Sequence, residues 1–193
     1  GQYTVVATSL EGCQSLPESF TVIASGIATI TPSDISVVEF SNHNSITIDT
    51  TNLGLGDYEF ALNEEYGTYQ DSSYFGNVPS GEHTIYVRDK NGCGTVSITV
   101  FVSGFPKFFT PNGDTINDTW NLRGWSTDYT NASNIKIFDR YGKLIKQVGP
   151  LSYGWDGTFN GVALPSTDFW YIATLVKIDG TVTQYSGHFS LVR

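Results

Sequence analysis

Along most of this chain apolar and polar residues alternate one for one, the signature of half-buried β-strands. Ile46-Thr47-Ile48-Asp49-Thr50 and Tyr58-Glu59-Phe60-Ala61-Leu62-Asn63 alternate cleanly. Thr84 to Val87 and Val96 to Val102 give two more strands, with Asp89-Lys90-Asn91-Gly92 as the hairpin turn between them. Further on, strands are predicted at Trp120–Arg123, Ile135–Asp139 and Leu144–Val148, the last two flanking the turn Arg140-Tyr141-Gly142-Lys143. Trp155 to Gly161 reads as another turn. Phe169–Ile178 and Thr181–Val192 form a long hairpin about Asp179-Gly180, a type I′ pair. No window carries a helical period.

The pattern also repeats. Tyr3-Thr4-Val5-Val6-Ala7-Thr8-Ser9-Leu10-Glu11-Gly12-Cys13 lines up with His83 to Cys93, and each Gly-Cys pair is followed by a strand, Phe20–Ile23 or Ser97–Val102. The offset is 80 residues, the size of one small β-sandwich module. Residues 1–25 are therefore expected to be the last hairpin of a preceding immunoglobulin-like module, residues 26–102 a complete one, and residues 103–193 a second domain after the linker Ser103-Gly104. The predicted fold class is all-β, with two consecutive immunoglobulin-like β-sandwich domains. Equivalent positions of tandem modules lie about a module apart, whereas a disulfide needs Cα atoms within ~7 Å. Cys13 and Cys93 are accordingly expected to stay unpaired, Cys93 as a half-buried thiol.

Composition sharpens the boundary. Residues 1–102 hold twelve acidic and two basic side chains, residues 103–193 seven and eight, and all four tryptophans lie in the second part. An acidic first part argues against nucleic acid as a partner. No apolar run approaches the ~20 residues of a membrane helix. Gln2 to Val6 already reads as strand, so no signal peptide is expected here, and the stretch reads as the C-terminal part of something longer. Nucleophile elbows, zinc motifs and phosphate loops are absent, and His43, His83 and His188 have no catalytic context. The expectation is that the chain is not an enzyme.

One stretch concentrates turn chemistry: Thr110-Pro111-Asn112-Gly113-Asp114-Thr115-Ile116-Asn117-Asp118-Thr119-Trp120. Pro111 fixes φ, Asn112-Gly113 is a turn pair, and Asn117-Asp118 closes a second turn through its side chains. The stretch reads as a rigid corner, a cation site or a docking surface. Asn112, Asp114, Asn117 and Asp118 offer oxygen ligands to Ca²⁺, although no glutamate closes such a site; the corner is the simpler reading. Trp125, Trp155, Phe159, Trp170 and Tyr171 offer a sugar-stacking platform, and the tyrosines between Glu64 and Phe75 another. Strand-borne aromatics in a small domain are first of all core.

The residues also carry a family resemblance. Phe108 to Asp114 with Asn117-Asp118 and Trp120 resembles the start of the gliding-motility-associated C-terminal domain, the type B sorting domain of the type IX secretion system in Bacteroidota. Ile137-Phe138-Asp139-Arg140-Tyr141-Gly142-Lys143 follows, then Trp155-Asp156-Gly157 with Asn160-Gly161, Leu164-Pro165 with Asp168, and Gly187-His188-Phe189, in the family's order. Thr115 stands where the family more usually has glycine. The first part resembles, less specifically, the immunoglobulin-like modules of surface adhesins. The resemblance implies a protein secreted across the outer membrane to the cell surface, with the type IX translocon and a PorP/SprF-like outer-membrane barrel as partners. The expected partner-binding residues are Thr110, Pro111, Asn112, Gly113, Asp114, Asn117, Asp118, Asp139, Arg140, Tyr141, Gly142, Trp155, Asp156, Gly157 and Arg193. The alternative is an extracellular carbohydrate-binding module, calcium-dependent if the loop holds Ca²⁺.

Overall fold

A computed structural model describes residues 1–41, 43–124 and 129–193. The chain opens with a lone hairpin, β1 (Gln2–Val5) and β2 (Glu18–Thr21), whose strands pair only with each other. The first sandwich follows, with β3 (Ile35–Val38), β4 (Ser45–Ile48), β5 (Tyr58–Leu62), β6 (Tyr74–Gly76), β7 (Gly81–Asp89) and β8 (Thr95–Val102). Its two sheets run β3-β4-β6 and β5-β7-β8. Their inward residues, among them Ile46, Ile48, Phe60, Ile85, Val87 and Val102, form one buried cluster with Leu53. β3 and β6 escape the alternation test because each is short and half-exposed.

The second domain is built on a five-stranded sheet. Its strands are β9 (Phe108–Phe109), β10 (Asn134–Phe138), β11 (Leu144–Val148), β14 (Thr167–Val176) and β15 (Val182–Leu191), in the order β11-β10-β14-β15-β9. β9 joins β15 in parallel; every other neighbour is antiparallel. Where a plain turn is expected, β12 (Thr158–Phe159) and β13 (Val162–Ala163) make a small separate hairpin. Residues 120–123 are not a strand: Trp120 bridges Trp155 and Arg123 bridges Gly104. The Asp179-Gly180 turn is not type I′ either. Only Gly180 has a positive φ, +85°, and Lys177 both donates its amide to Thr181 and accepts from Gly180. That is a type I turn closed by a left-handed glycine.

Aromatic rings fill the second core. Trp120 stacks on Phe189 with centroids 3.8 Å apart, and Trp155 meets Phe169 edge-on at 4.7 Å. Both buried indoles donate to backbone carbonyls, Trp120 to Pro106 and Trp155 to Thr158, each at 2.8 Å. Neither indole N–H is left unpaired to cost stability. Among the described residues no helix is long and apolar enough to cross a membrane.

The expected linker is a packed joint. Ser103 is almost wholly buried, accepts Phe40 N–H on its carbonyl and donates its own amide to the Glu39 carboxylate. Its hydroxyl donates to the Gly124 carbonyl. Gly124, at φ +66°, lies so close that an added Cβ would fall 2.1 Å from the Val102 oxygen. Phe40, from the first sandwich, stacks on Tyr185 at 4.1 Å. Two domains locked by a buried polar centre and a ring stack do not hinge freely.

At the opposite end of the first sandwich, Asp89 fastens the entering chain. Its carboxylate accepts from Ser25 Oγ at 2.6 Å and from the amides of Asp57 and Cys93 and the side chain of Asn91. Cys93 itself is exposed, not half-buried, because the turn that carries it projects from the sheet; Cys13 is exposed too, and neither forms a disulfide. The Ser25 hydroxyl foremost, with the Cys93 amide and Asn91, outweighs desolvation and holds the Asp89 carboxyl well below the usual carboxylate range. A depressed folded-state pKa stabilises above the unfolded value, and that contribution disappears as pH falls through the folded one. Thermal melts should therefore show the melting temperature dropping below about pH 4. Asp89→Asn should melt lower than the parent at pH 7 and show a shallower acid dependence; equal slopes would refute the assignment.

Candidate functional site

The sheet register gathers the expected residues at one end of the second domain. β10 finishes at Phe138, β14 starts at Thr167, β15 finishes at Leu191 and β9 finishes at Phe109, with Leu191 paired to both Thr167 and Phe109. The segments leaving these strands at that end are the Thr110–Thr119 loop, the Asp139–Lys143 turn and the chain end at Arg193. The β12–β13 hairpin is tied in beside them.

Asp118 organises the loop. One carboxylate oxygen accepts the amides of Asn112 (2.9 Å) and Gly113 (2.7 Å), and the other that of Thr115 (2.7 Å). The Gly113 amide foremost, with those of Thr115 and Asn112, holds the Asp118 carboxyl below its ordinary range. Asp114 accepts from the Asn112 side chain and the Ile116 amide, and Asn112 accepts the Asp114 amide in return. Thr110 N–H closes the loop on the Asn117 carbonyl. The oxygens that a calcium reading needs are thus engaged by N–H donors, which supports the double-turn corner. Asn117 and Thr115 both sit in the left-handed region, at φ +55° and +71°. Asparagine tolerates that region; β-branched threonine does not.

Arg193 binds this corner to its neighbours. Its guanidinium donates from Nε to the Leu164 carbonyl, from Nη1 to that of Pro111 and from Nη2 to that of Gly157. Its amide donates to Ser166 Oγ. Gly157, at φ +78°, has to be glycine here, since a Cβ would lie 2.5 Å from a Leu191 methyl and 3.0 Å from Arg193 Nη2. The second turn is self-contained: Asp139 accepts the amides of Tyr141 and Lys143, and Gly142 donates to the Asp139 carbonyl. Arg140 reaches Thr167 Oγ1, and the Lys143 ammonium stands 4.5 Å over the Phe159 ring.

Not every expected residue faces outward. Trp155 is fully buried and Gly157 buried behind it, so both support the end of the domain from within. Tyr141, by contrast, is 86% exposed. Asp156 is exposed, with its carboxylate turned onto Thr158. Two contributors went unforeseen. Asn121 donates to the carbonyls of Gly149, Pro150 and Ser152, and Arg123 to Asn117 Oδ1. Their only sequence signal is polar residues directly after Trp120, in a segment read as strand.

Of the suggested platform aromatics, Trp125 lies outside the described residues. Phe159 and Tyr171 are half-buried, and Trp170 alone of the strand-borne pair at 169–170 points to solvent. It stands in a row across the outer sheet face, Phe138–Trp170–His188, above an open groove of about 640 Å³ that Arg140 and Ile172 also line.

The strain at Thr115 is testable. Thr115→Gly should stabilise the second domain by about 0.5–1 kcal/mol, relief of the left-handed cost being partly offset by glycine's unfolded-state entropy. Chemical denaturation measures it, and a loss of stability would contradict the left-handed geometry.

Comparison with known proteins gives a family match over the second domain. Residues 103–191 match the family model described as the CHU_C type IX secretion signal domain. No curated protein matches the chain. Among solved structures, the chicken CNTN1 FN1–FN3 domains align over 100% of this chain and 78% of theirs, at 9% identity and a TM-score of 0.26. Dimeric latent PorU from Porphyromonas gingivalis aligns over 98% of this chain and 20% of its own, at 14% identity and a TM-score of 0.32. A tetra-tandem repeat in the extending region of a large adhesion protein aligns over 98% and 56%, at 14% and 0.23. This chain thus spans a fifth of PorU, and at such scores none of the three bears on function. The part of the chain that carries the loop and the turns, residues 103–191, matches the CHU_C type IX secretion signal domain family, and such a signal implies export through the outer membrane to the cell surface or extracellular space.

Proposed function

We propose that the joined end of the second domain is the surface read during type IX export, and that a PorP/SprF-like outer-membrane barrel then retains the protein at the cell surface as part of an adhesin. The family match over residues 103–191 carries the export reading. The Arg193 contacts support the choice of surface, because they lock three chain segments into one shape before any partner arrives. A preorganised surface loses little ordering entropy on docking. Tyr141 and Arg140 are its exposed contact groups, Asn112, Gly113, Asp114, Asn117 and Asp118 its rigid frame. The acidic first part stays solvated outside.

The test fuses residues 103–193 to a folded reporter carrying a signal peptide, in a host with a working type IX system. The reporter should appear at the surface or in the medium, and Arg193→Ala with Tyr141→Ala should lower that fraction several-fold without unfolding the domain. Retention of the parent fusion in the periplasm would overturn the reading.

The exposed Trp170 favours a second role, stacking against a sugar ring in the groove beside Arg140 and His188. Trp170→Ala should then abolish polysaccharide binding while export is unchanged. Equal binding by parent and variant would exclude that groove.

A further inference from the structure

The hairpin β1–β2 has a face that nothing in this structure covers. Tyr3, Val5, Phe20 and Val22 are each about half-exposed, and Leu16 is almost fully exposed. Tyr3 and Phe20, directly opposite each other, stack at 5.8 Å. The other face of the paired strands carries Gln2, Thr4, Ser19 and Thr21. Two strands alone are marginal in water, so an apolar side of this kind asks what it is made to pack against.

The geometry of β7–β8 answers. With a shift of 80 residues the two hairpins have one register: Gln2↔Thr21, Tyr3↔Phe20 and Thr4↔Ser19 correspond to Glu82↔Phe101, His83↔Val100 and Thr84↔Thr99. Their turns agree in detail. Gly12 and Gly92 share φ +84° and donate at 3.0 Å to the carbonyls of Ser9 and Asp89. The amides of Cys13 and Cys93 donate at 3.2 Å to the side chains of the same two residues. Only next to the turn does the first hairpin slip by one, at the Thr8↔Gln14 bridge. The apolar positions then map onto core positions. Val5, Ala7, Phe20 and Val22 stand where Ile85, Val87, Val100 and Val102 are buried, and Tyr3 where His83 is. What covers those in the complete module is the opposing sheet β3-β4-β6, chiefly Ile46 and Ile48, while β5 pairs with the outer edge of β7.

We propose that β1–β2 is the closing hairpin of another module of the same 80-residue period, and that its apolar face docks against a sheet of the β3-β4-β6 type supplied by residues preceding it in the same polypeptide. The match of register, turn and core position carries this, independently of the sorting reading, which concerns the other end of the chain. The docked form also explains Ser25: it sits between the hairpin and the Asp89 clamp, so a completed module is held to the next by one short tie.

The repeat itself supplies the probe. A second copy of residues 27–80 placed directly before Gly1, the equivalent of Gly81, provides β3 to β6 in the correct spacing. In that extended chain, amide exchange of residues 2–5 and 18–21 should slow by roughly 100-fold relative to the 193-residue protein, as for a strand pair moved from a fraying edge into a core. Val5→Ser with Phe20→Ser should leave the melting temperature of the 193-residue protein unchanged and abolish the slowing in the extended chain. Unslowed exchange in the extended chain overturns the proposal. So does a 193-residue protein that is dimeric with its hairpin amides already protected, since a second copy would then be the occupant.

Discussion

A continuous run of aromatic rings, stacked or tilted against one another, sets the arrangement of everything after residue 102. It starts at Phe40 in the first sandwich, passes to Tyr185 and Phe105, continues through Trp120 to Phe189, and reaches Phe109 and Trp155 behind the candidate surface. Each such pair is worth about 0.5–1.5 kcal/mol beyond the area it buries, and each ring is held in orientation by the next. The indole N–H groups of Trp120 and Trp155 are spent on backbone carbonyls of the two segments that flank the site, so packing and loop position are set by the same residues. The joint between domains and the far end of the sheet are parts of one core.

The surface itself obeys a different rule. Its loops bury little, so their shape comes from carboxylates and a guanidinium satisfying backbone groups. Asp118 accepts three amides and Arg193 serves three carbonyls, each side chain replacing a secondary-structure ladder where none can form. Gly157 leaves the room that Arg193 needs, and among the described residues of this surface the left-handed Thr115 is the one whose chemistry opposes its conformation. Backbone strain of this kind persists only where the surroundings over-determine it, and three amides on one carboxylate do so.

The two halves of the molecule spend their charge differently. In the acidic first part, Asp89 is buried at the entry of the chain and fully engaged, whereas most other carboxylates there stay solvated. The second domain balances its charges and turns Arg140 and Lys143 toward the exposed end. With the entering hairpin tied through Asp89 and the second domain locked on through Phe40 and Ser103, each junction is built by a few named contacts rather than by a free tether.

By itself the sequence determined the β class, the long strands, the 80-residue repeat and the family of the last domain. Alternation with a period of two, Gly and Asn turn pairs and an ordered set of motifs are local signals that survive without coordinates. It also marked the Thr110–Trp120 stretch as a corner. Only the tertiary structure decided that Ser103-Gly104 is a packed joint, because burial there comes from Phe40, 63 residues before Ser103, and from Gly124, 21 after it. Only it could separate Trp155, inside, from Trp170, outside, since Trp155 is turned inward by its bridge to Trp120 and Trp170 outward by the register of β14. The union of Pro111, Gly157, Leu164 and Arg193 at one point was equally unreadable: it follows from three strands finishing and one starting at the same end of a sheet, a long-range coincidence that no local pattern encodes.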